Sequence, residues 1–152
     1  MQTAVIQQLV DLNNTFYQTF GKAFAVTRRR IQPGITRCLA DLPPAGDWLD
    51  LGCGGGTVAD AWVKTPGRQG LYLGVDFSPV LLEEARQTVQ CAADEHIRVD
   101  FCQADLASLE WRDCLTPGNP IGAPAQFDVI SAFAVFHHIP GSSVREKICG
   151  AI

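Results

Sequence analysis

The sequence predicts an α/β fold built on a parallel sheet, and two observations carry that expectation. Short, nearly continuous apolar runs alternate with helical patterns, as strands covered by helices on both faces require. One of those runs, Trp48-Leu-Asp-Leu51, passes directly into Gly52-Cys-Gly-Gly-Gly56. A strand that turns through glycines into a helix brings backbone close to a ligand and aims free N–H groups at it.

Val5, Leu9, Leu12, Phe16 and Phe20 recur at spacings of four, three, four and four, one face of a first helix. A basic cluster follows at Arg28, Arg29 and Arg30. A second helix is expected from Pro33, with Ile35, Leu39 and Leu42 inward, ended by Pro43-Pro-Ala-Gly46. Trp48 to Leu51 is the first strand, and Thr57 to Val63 the helix after the glycines. A second strand runs from Leu71 to Val75 and ends at Asp76. Ser78 then caps a helix with Pro79 at its first position, expected to reach about Cys91. Ile97 to Cys102 is the third strand, followed by Asp105. The proline- and glycine-rich stretch from Ala107 to Gln126 reads as a loop, and Phe127 to Ala134 as a fourth strand. The chain is thus divided into a helical segment, 1–45, and a sheet domain, 46–152.

The 152 residues suffice for a moderate core, and 47% hydrophobic with 18% charged residues is a globular composition. No apolar run reaches the length of a membrane span, and the N-terminus lacks a basic-then-apolar leader. A net charge of −4 argues against strong non-specific binding to nucleic acid. None of the six cysteines forms a C-x-x-C pair, so no zinc or redox motif is expected. Cys53 and Cys102 read as buried, reduced residues of a cytoplasmic protein.

Ligands of such sheets bind beyond the carboxyl ends of the strands, where strand order reverses. Those ends carry Asp50, Asp76, Asp105 and the segment 132–138. Asp76 lies 20 residues after Gly56, where a carboxylate accepts both hydroxyls of a ribose. Asp105, one strand further out, suits an exocyclic amine. Asp50 decides the ligand type: a carboxylate repels a pyrophosphate but attracts an ammonium group, pointing to a nucleoside with an amino-acid tail. A dinucleotide site is the rival, because Gly54-Gly-Gly56-Thr-Val-Ala59 also fits G-x-G-x-x-A, but it leaves Asp50 unexplained.

With those residues in hand, the chain resembles class I S-adenosylmethionine-dependent methyltransferases. The matching pieces are LDLGCGGG (49–56), LGVDFSPVLLEEAR (73–86), CQADL (102–106) and FDVISAFAVFHHIP (127–140). The resemblance implies a Rossmann-like sheet with S-adenosylmethionine held by Gly52, Cys53, Gly54, Gly56, Asp76, Phe77, Ser78, Ala104, Asp105, Leu106 and Ala132. It also places the Asp50 carboxylate toward the cofactor ammonium and Phe77 beside the adenine. The pieces 23–39 and 134–140 further resemble the family that methylates a carboxymethyl group on the tRNA wobble uridine, through Phe24, Thr27, Arg28, His137 and His138. The implied acceptor is therefore tRNA or a small molecule. Arg28 is a candidate for the cofactor carboxylate, and His137 and His138 are candidates for the acceptor wall or a base. The family domain has seven strands and only four are expected here, with the chain stopping at Ile152. Strand four would then present a bare edge open to self-association. The expected reading is a fragment of an active enzyme family, with a partner-completed half or a non-catalytic cofactor-binding remnant as alternatives.

Overall fold

A computed structural model describes residues 3–27, 30–89, 95–116, 122–124 and 126–152. Helices α1 (Thr3–Thr27) and α2 (Pro33–Asp41) precede β1 (Trp48–Leu51), α3 (Thr57–Val63), β2 (Gly70–Asp76), α4 (Pro79–Thr88) and β3 (Ile97–Gln103). A 3-10 helix (Leu109–Leu115) leads to β4 (Val129–Ser131), a 3-10 turn (Phe136–His138) and α5 (Ser142–Ala151). The four strands are parallel in the order β3-β2-β1-β4. The chain moves outward from β1 to β3 and then crosses back to β4 on the other side. That reversal opens a crevice above β1, where an α/β sheet binds its ligands.

The two faces of the sheet separate by strand alternation. Leu49, Leu51, Leu71, Leu73 and Val75 point to one face, packed with Leu106, Trp111, Ile139 and Ile148. Trp48 and Tyr72 point to the other, with Leu39, Val58, Ala59, Trp62 and Val89. All of β1 is buried, which explains why its apolar run is uninterrupted except for Asp50. Pro33 opens α2, where the Gln32 carbonyl accepts from Ile35 and Thr36, and Leu39 is its buried anchor. The buried Arg68 side chain donates to the carbonyls of Leu39, Leu42 and Pro43, satisfying the end of that helix. The Ser78 hydroxyl caps α4 by accepting from Leu81 N at 3.3 Å.

Several expectations need correcting. The fourth strand is three residues long, not eight. Its register (Trp48↔Val129, Leu49↔Ile130, Asp50↔Ser131) stops one residue short of the end of β1, where Leu51 pairs with Val75 of β2. The helix expected to reach Cys91 stops at Thr88, and residues 90–94 lie outside the described ones. The stretch read as loop contains the 3-10 helix at Leu109–Leu115, held by Trp111, which is 1% exposed. Cys102 is half-buried and joined by a disulfide to Cys114 in that helix, with Cα atoms 6.5 Å apart, whereas a reduced residue was expected. Cys53 is buried and free, as expected.

The apolar stripe of α1 is exposed at every position: Val5, Leu9, Leu12, Phe16 and Phe20 lie between 39% and 65% exposed. The face turned toward the rest of the molecule carries Val10, Asn13, Asn14, Tyr17 and Gly21 instead. It packs on α4, where a Cβ at Gly21 would touch Val80 at 3.4 Å. Among the described residues, no helix is long and apolar enough to cross a membrane, and no cluster of three metal-ligating side chains occurs.

Candidate cofactor site

The glycine turn is stitched to β2 by backbone, with the N–H groups of Gly52 and Cys53 both donating to the Val75 carbonyl. Its three alternating glycines do three different things. A Cβ at Gly52 would lie 2.4 Å from Val135 Cγ2, so this glycine admits the segment after β4. A Cβ at Gly56 would lie 2.9 Å from the Ala85 backbone, so it sets the contact between the start of α3 and α4. Gly54, with φ of +54°, has nothing within 4 Å of a Cβ position and opens onto a cavity.

That cavity has a volume of about 440 Å³, in the range of small-molecule sites. Its wall includes Asp50, Gly52, Cys53, Gly54, Asp76, Phe77, Ala104, Asp105, Leu106 and His138. The expected strand ends therefore meet around one space. Three expected residues stand outside the wall. Gly56 serves helix packing, Ser78 is a fully buried cap, and the segment after β4 lines the cavity through Phe133, Ala134 and Val135 rather than Ala132. His137 lies in an adjoining cavity instead. Arg28 lies outside the described residues. Sequence reasoning missed Asn13, Asn14 and Tyr17 of α1 and the stretch Arg30–Gln32, all of which line the cavity. The signal available was the Asn13-Asn14 pair, polar residues in a helix whose most apolar stripe drew attention elsewhere.

Asp76 is 6% exposed and acts as a clamp. Its Oδ2 accepts from Gly54 N and its Oδ1 from Ser78 N, each at 2.9 Å. Burial raises its pKa, against the opposing effect of backbone N–H groups from Ser78, Gly54 and Phe77. Asp50 is 2% exposed. The hydroxyls of Tyr72 and Ser131 donate to its two oxygens at 2.5 Å each, and Trp48 Nε1 donates to Ser131 Oγ at 2.7 Å. Burial lifts the Asp50 pKa from 3.8 to about 6, the two hydroxyls working against the shift and the Asp76 charge adding to it. Asp105 is exposed and receives Ala107 N at 2.8 Å. Burial also pushes the Cys53 thiol up, which keeps it protonated and unreactive.

Among the described residues no cation forms an ion pair with Asp50 or Asp76. Two buried carboxylates facing one cavity, with open space above Gly54, fit a ligand that carries both hydroxyls and positive charge. S-adenosylmethionine is such a ligand.

The Asp50 shift has a sign that can be measured. Between pH 3.8 and about 6 the folded chain holds a proton that the unfolded chain releases. Stability therefore falls as pH rises through that window, by about 3 kcal/mol for a shift of this size. Urea unfolding from pH 4 to 7 is expected to show this slope in the wild type, and Asp50→Asn is expected to reduce it to the part that the raised Asp76 contributes. Ligand binding runs the other way, since only the ionised carboxylate attracts an ammonium group.

The fold and the site define a class I nucleoside-cofactor domain of the methyltransferase type. A model of the methyltransferase-domain family matches residues 49–148, and the chain belongs to that family of S-adenosylmethionine-dependent enzymes. Among solved structures, it is similar to magnesium protoporphyrin IX methyltransferase from Synechocystis PCC 6803, crystallised with S-adenosylmethionine. The two are 17% identical over 93% of this chain and 68% of that one, with a TM-score of 0.63. It is also similar to YjhP from E. coli and to an S-adenosylmethionine-dependent methyltransferase from Thiobacillus denitrificans crystallised with S-adenosylhomocysteine. Each is 17% identical over 90% of this chain and 50% of that one, with a TM-score of 0.57. At these identities the likeness is one of fold. The chain spans about half the length of the latter two proteins. No curated protein sequence matches it.

Proposed function

We propose that the chain binds S-adenosylmethionine in the cavity above Gly54 and directs its methyl group to a small-molecule acceptor. The observation that carries the cofactor half is the pair of buried carboxylates, Asp50 and Asp76, facing one cavity, neither of them ion-paired among the described residues. Asp76 holds the glycine turn through Gly54 and leaves lone pairs for ribose hydroxyls. Asp50, fixed by two hydroxyls, presents negative charge to the amino-acid tail. Phe77 offers an aromatic face and Asp105 an acceptor on the adenine side. S-adenosylmethionine supplies, when bound, a methyl group on an electrophilic sulfonium, so the protein's task is to align an acceptor with it.

A second cavity of about 550 Å³ supports the small-molecule acceptor. It shares Asn13, His138, Ile139 and Pro140 with the first. Ile6 and Leu9 add apolar wall, and His137, Ser142, Ser143 and Arg145 add polar groups. A second reading, an RNA acceptor, draws support from Arg30, an exposed cation on the wall of the first cavity and part of the basic cluster 28–30.

Calorimetry with S-adenosylhomocysteine on the folded chain tests the cofactor half, and binding in the micromolar range is expected. An absence of heat at millimolar ligand would sink it. Transfer of labelled methyl from S-adenosylmethionine to pooled small molecules, and not to tRNA carrying carboxymethyl groups on its wobble uridine, is expected for the acceptor half. The reverse pattern would select RNA.

A further inference from the structure

We infer that Tyr17 and Asn13 of α1 are positioning residues, holding the His138 imidazole in one orientation and one tautomer on the partition between the two cavities. The inference rests on the two-cavity reading above and goes beyond it, because it assigns a task to a helix outside the matched family region.

His138 belongs to the wall of both cavities, and so does Asn13. Three contacts from α1 converge on it. The Asn13 side-chain amide donates to the His138 carbonyl at 2.8 Å, fixing the backbone. The Tyr17 hydroxyl meets His138 Nε2 at 3.4 Å. The Tyr17 ring packs edge-on against the imidazole, with centroids 5.9 Å apart at 80°. Tyr17 is itself immobilised: it is 7% exposed and meets Phe77 edge-on at 5.4 Å. One tyrosine therefore touches both the aromatic residue of the cofactor side and the histidine of the acceptor side.

The segment leading to His138 is constrained from other directions too. Ala134 takes a φ of +55°, a left-handed conformation that a residue with a side chain adopts only when its surroundings enforce it. Val135 fills the space that Gly52 leaves open on the glycine turn. The Val135 and Phe136 carbonyls accept from His138 N and Ile139 N. Anchors on the glycine turn and on α1 thus fix the imidazole between the cofactor and the approach of the acceptor. A neutral histidine presents a proton at one ring nitrogen and a lone pair at the other; a phenol is a better donor than a neutral imidazole N–H, so the Tyr17 hydroxyl donating to Nε2 favours a lone pair there and the proton on Nδ1. For an acceptor whose nucleophile bears a proton, that choice decides whether the imidazole can receive it.

The test is the ¹⁵N spectrum of the three histidines (96, 137 and 138) at neutral pH, with and without S-adenosylhomocysteine. Wild type is expected to show His138 as a single neutral tautomer. Tyr17→Phe keeps the ring and removes only the hydroxyl. It is expected to give a tautomer mixture at His138 in the free protein and to leave His96 unchanged. Asn13→Ala is expected to broaden the His138 signal through loss of the backbone tether. An unaltered His138 signature in Tyr17→Phe would overturn the inference. If wild type fails to bind S-adenosylhomocysteine the cofactor reading falls separately, while the spectra of the free protein still decide the role of Tyr17.

Discussion

Replacing Asp76 by alanine is expected to abolish S-adenosylhomocysteine binding and to lower stability in the same step. The carboxylate accepts from Gly54 N and Ser78 N, and its removal strands both donors in a buried site. A buried donor without a partner costs about 1–3 kcal/mol, so the two together cost about 2–6 kcal/mol. Part of that loss is returned, because Asp76 is buried as an anion at a cost that its raised pKa records. Binding suffers more than stability, for two reasons. The turn that shapes the cavity floor loses its tether, and the ligand loses a hydroxyl acceptor. Asp76→Asn is the intermediate case: its amide oxygen still accepts from one of the two N–H groups, while its amide nitrogen faces the other and the charge is gone. The expected order of affinity is wild type, then Asp76→Asn, then Asp76→Ala with no detectable heat. Equal heats for wild type and Asp76→Ala, from folded proteins, would show that the ligand does not use this cavity.

The second large effect is expected at Gly52. An alanine there must adopt a φ of +75° and place its Cβ 2.4 Å from Val135 Cγ2 and 2.7 Å from Val135 Cβ. The left-handed conformation costs about 1–2 kcal/mol, and overpacking about 1–3 kcal/mol more. At about 2–4 °C per kcal/mol for a chain of this length, the melting temperature should fall by about 10 °C. Gly54→Ala is the control. It takes the left-handed cost alone, because nothing lies within 4 Å of its Cβ position, but it puts a methyl group at the cavity floor. Gly52→Ala should therefore lose mainly stability and Gly54→Ala mainly affinity. A Gly52→Ala protein as stable as wild type would mean that Val135 does not rest on the turn.

The parts of the molecule that were legible in the sequence are those whose reasons are local. The strand Trp48–Leu51, the helix Thr57–Val63 and the Ser78 cap needed only an apolar run, a glycine turn and a hydroxyl before Pro79. The meeting of Asp50, Asp76 and Asp105 around one space followed from the rule that ligands sit beyond parallel strand ends. What was not legible depends on partners distant in the chain. The apolar run through Phe133 gave no sign that β4 would stop at Ser131, after which the chain turns at Ala134 and seats Val135 on Gly52. The Cys102–Cys114 disulfide is invisible to spacing rules built on C-x-x-C. The hardest case is α1. Periodicity picks the most apolar stripe, yet the face turned inward bears Asn13, Asn14 and Tyr17, because it lines a cavity rather than a core. Hydrophobic pattern reports burial against oil, and fails where the buried surface is the wall of a site.

The hydroxyls that reach Asp50 come from Tyr72 on β2 and Ser131 on β4, while Asp50 itself stands on β1. One carboxylate thereby rivets three neighbouring strands alongside their backbone ladders, and Trp48 extends the rivet by one more bond. The group that gives the cavity its charge is also a cross-brace of the sheet. Charge and lateral cohesion are thus inseparable at this position: any change that retunes the attraction for a cation also loosens the joint between the sheet's centre and its β4 edge.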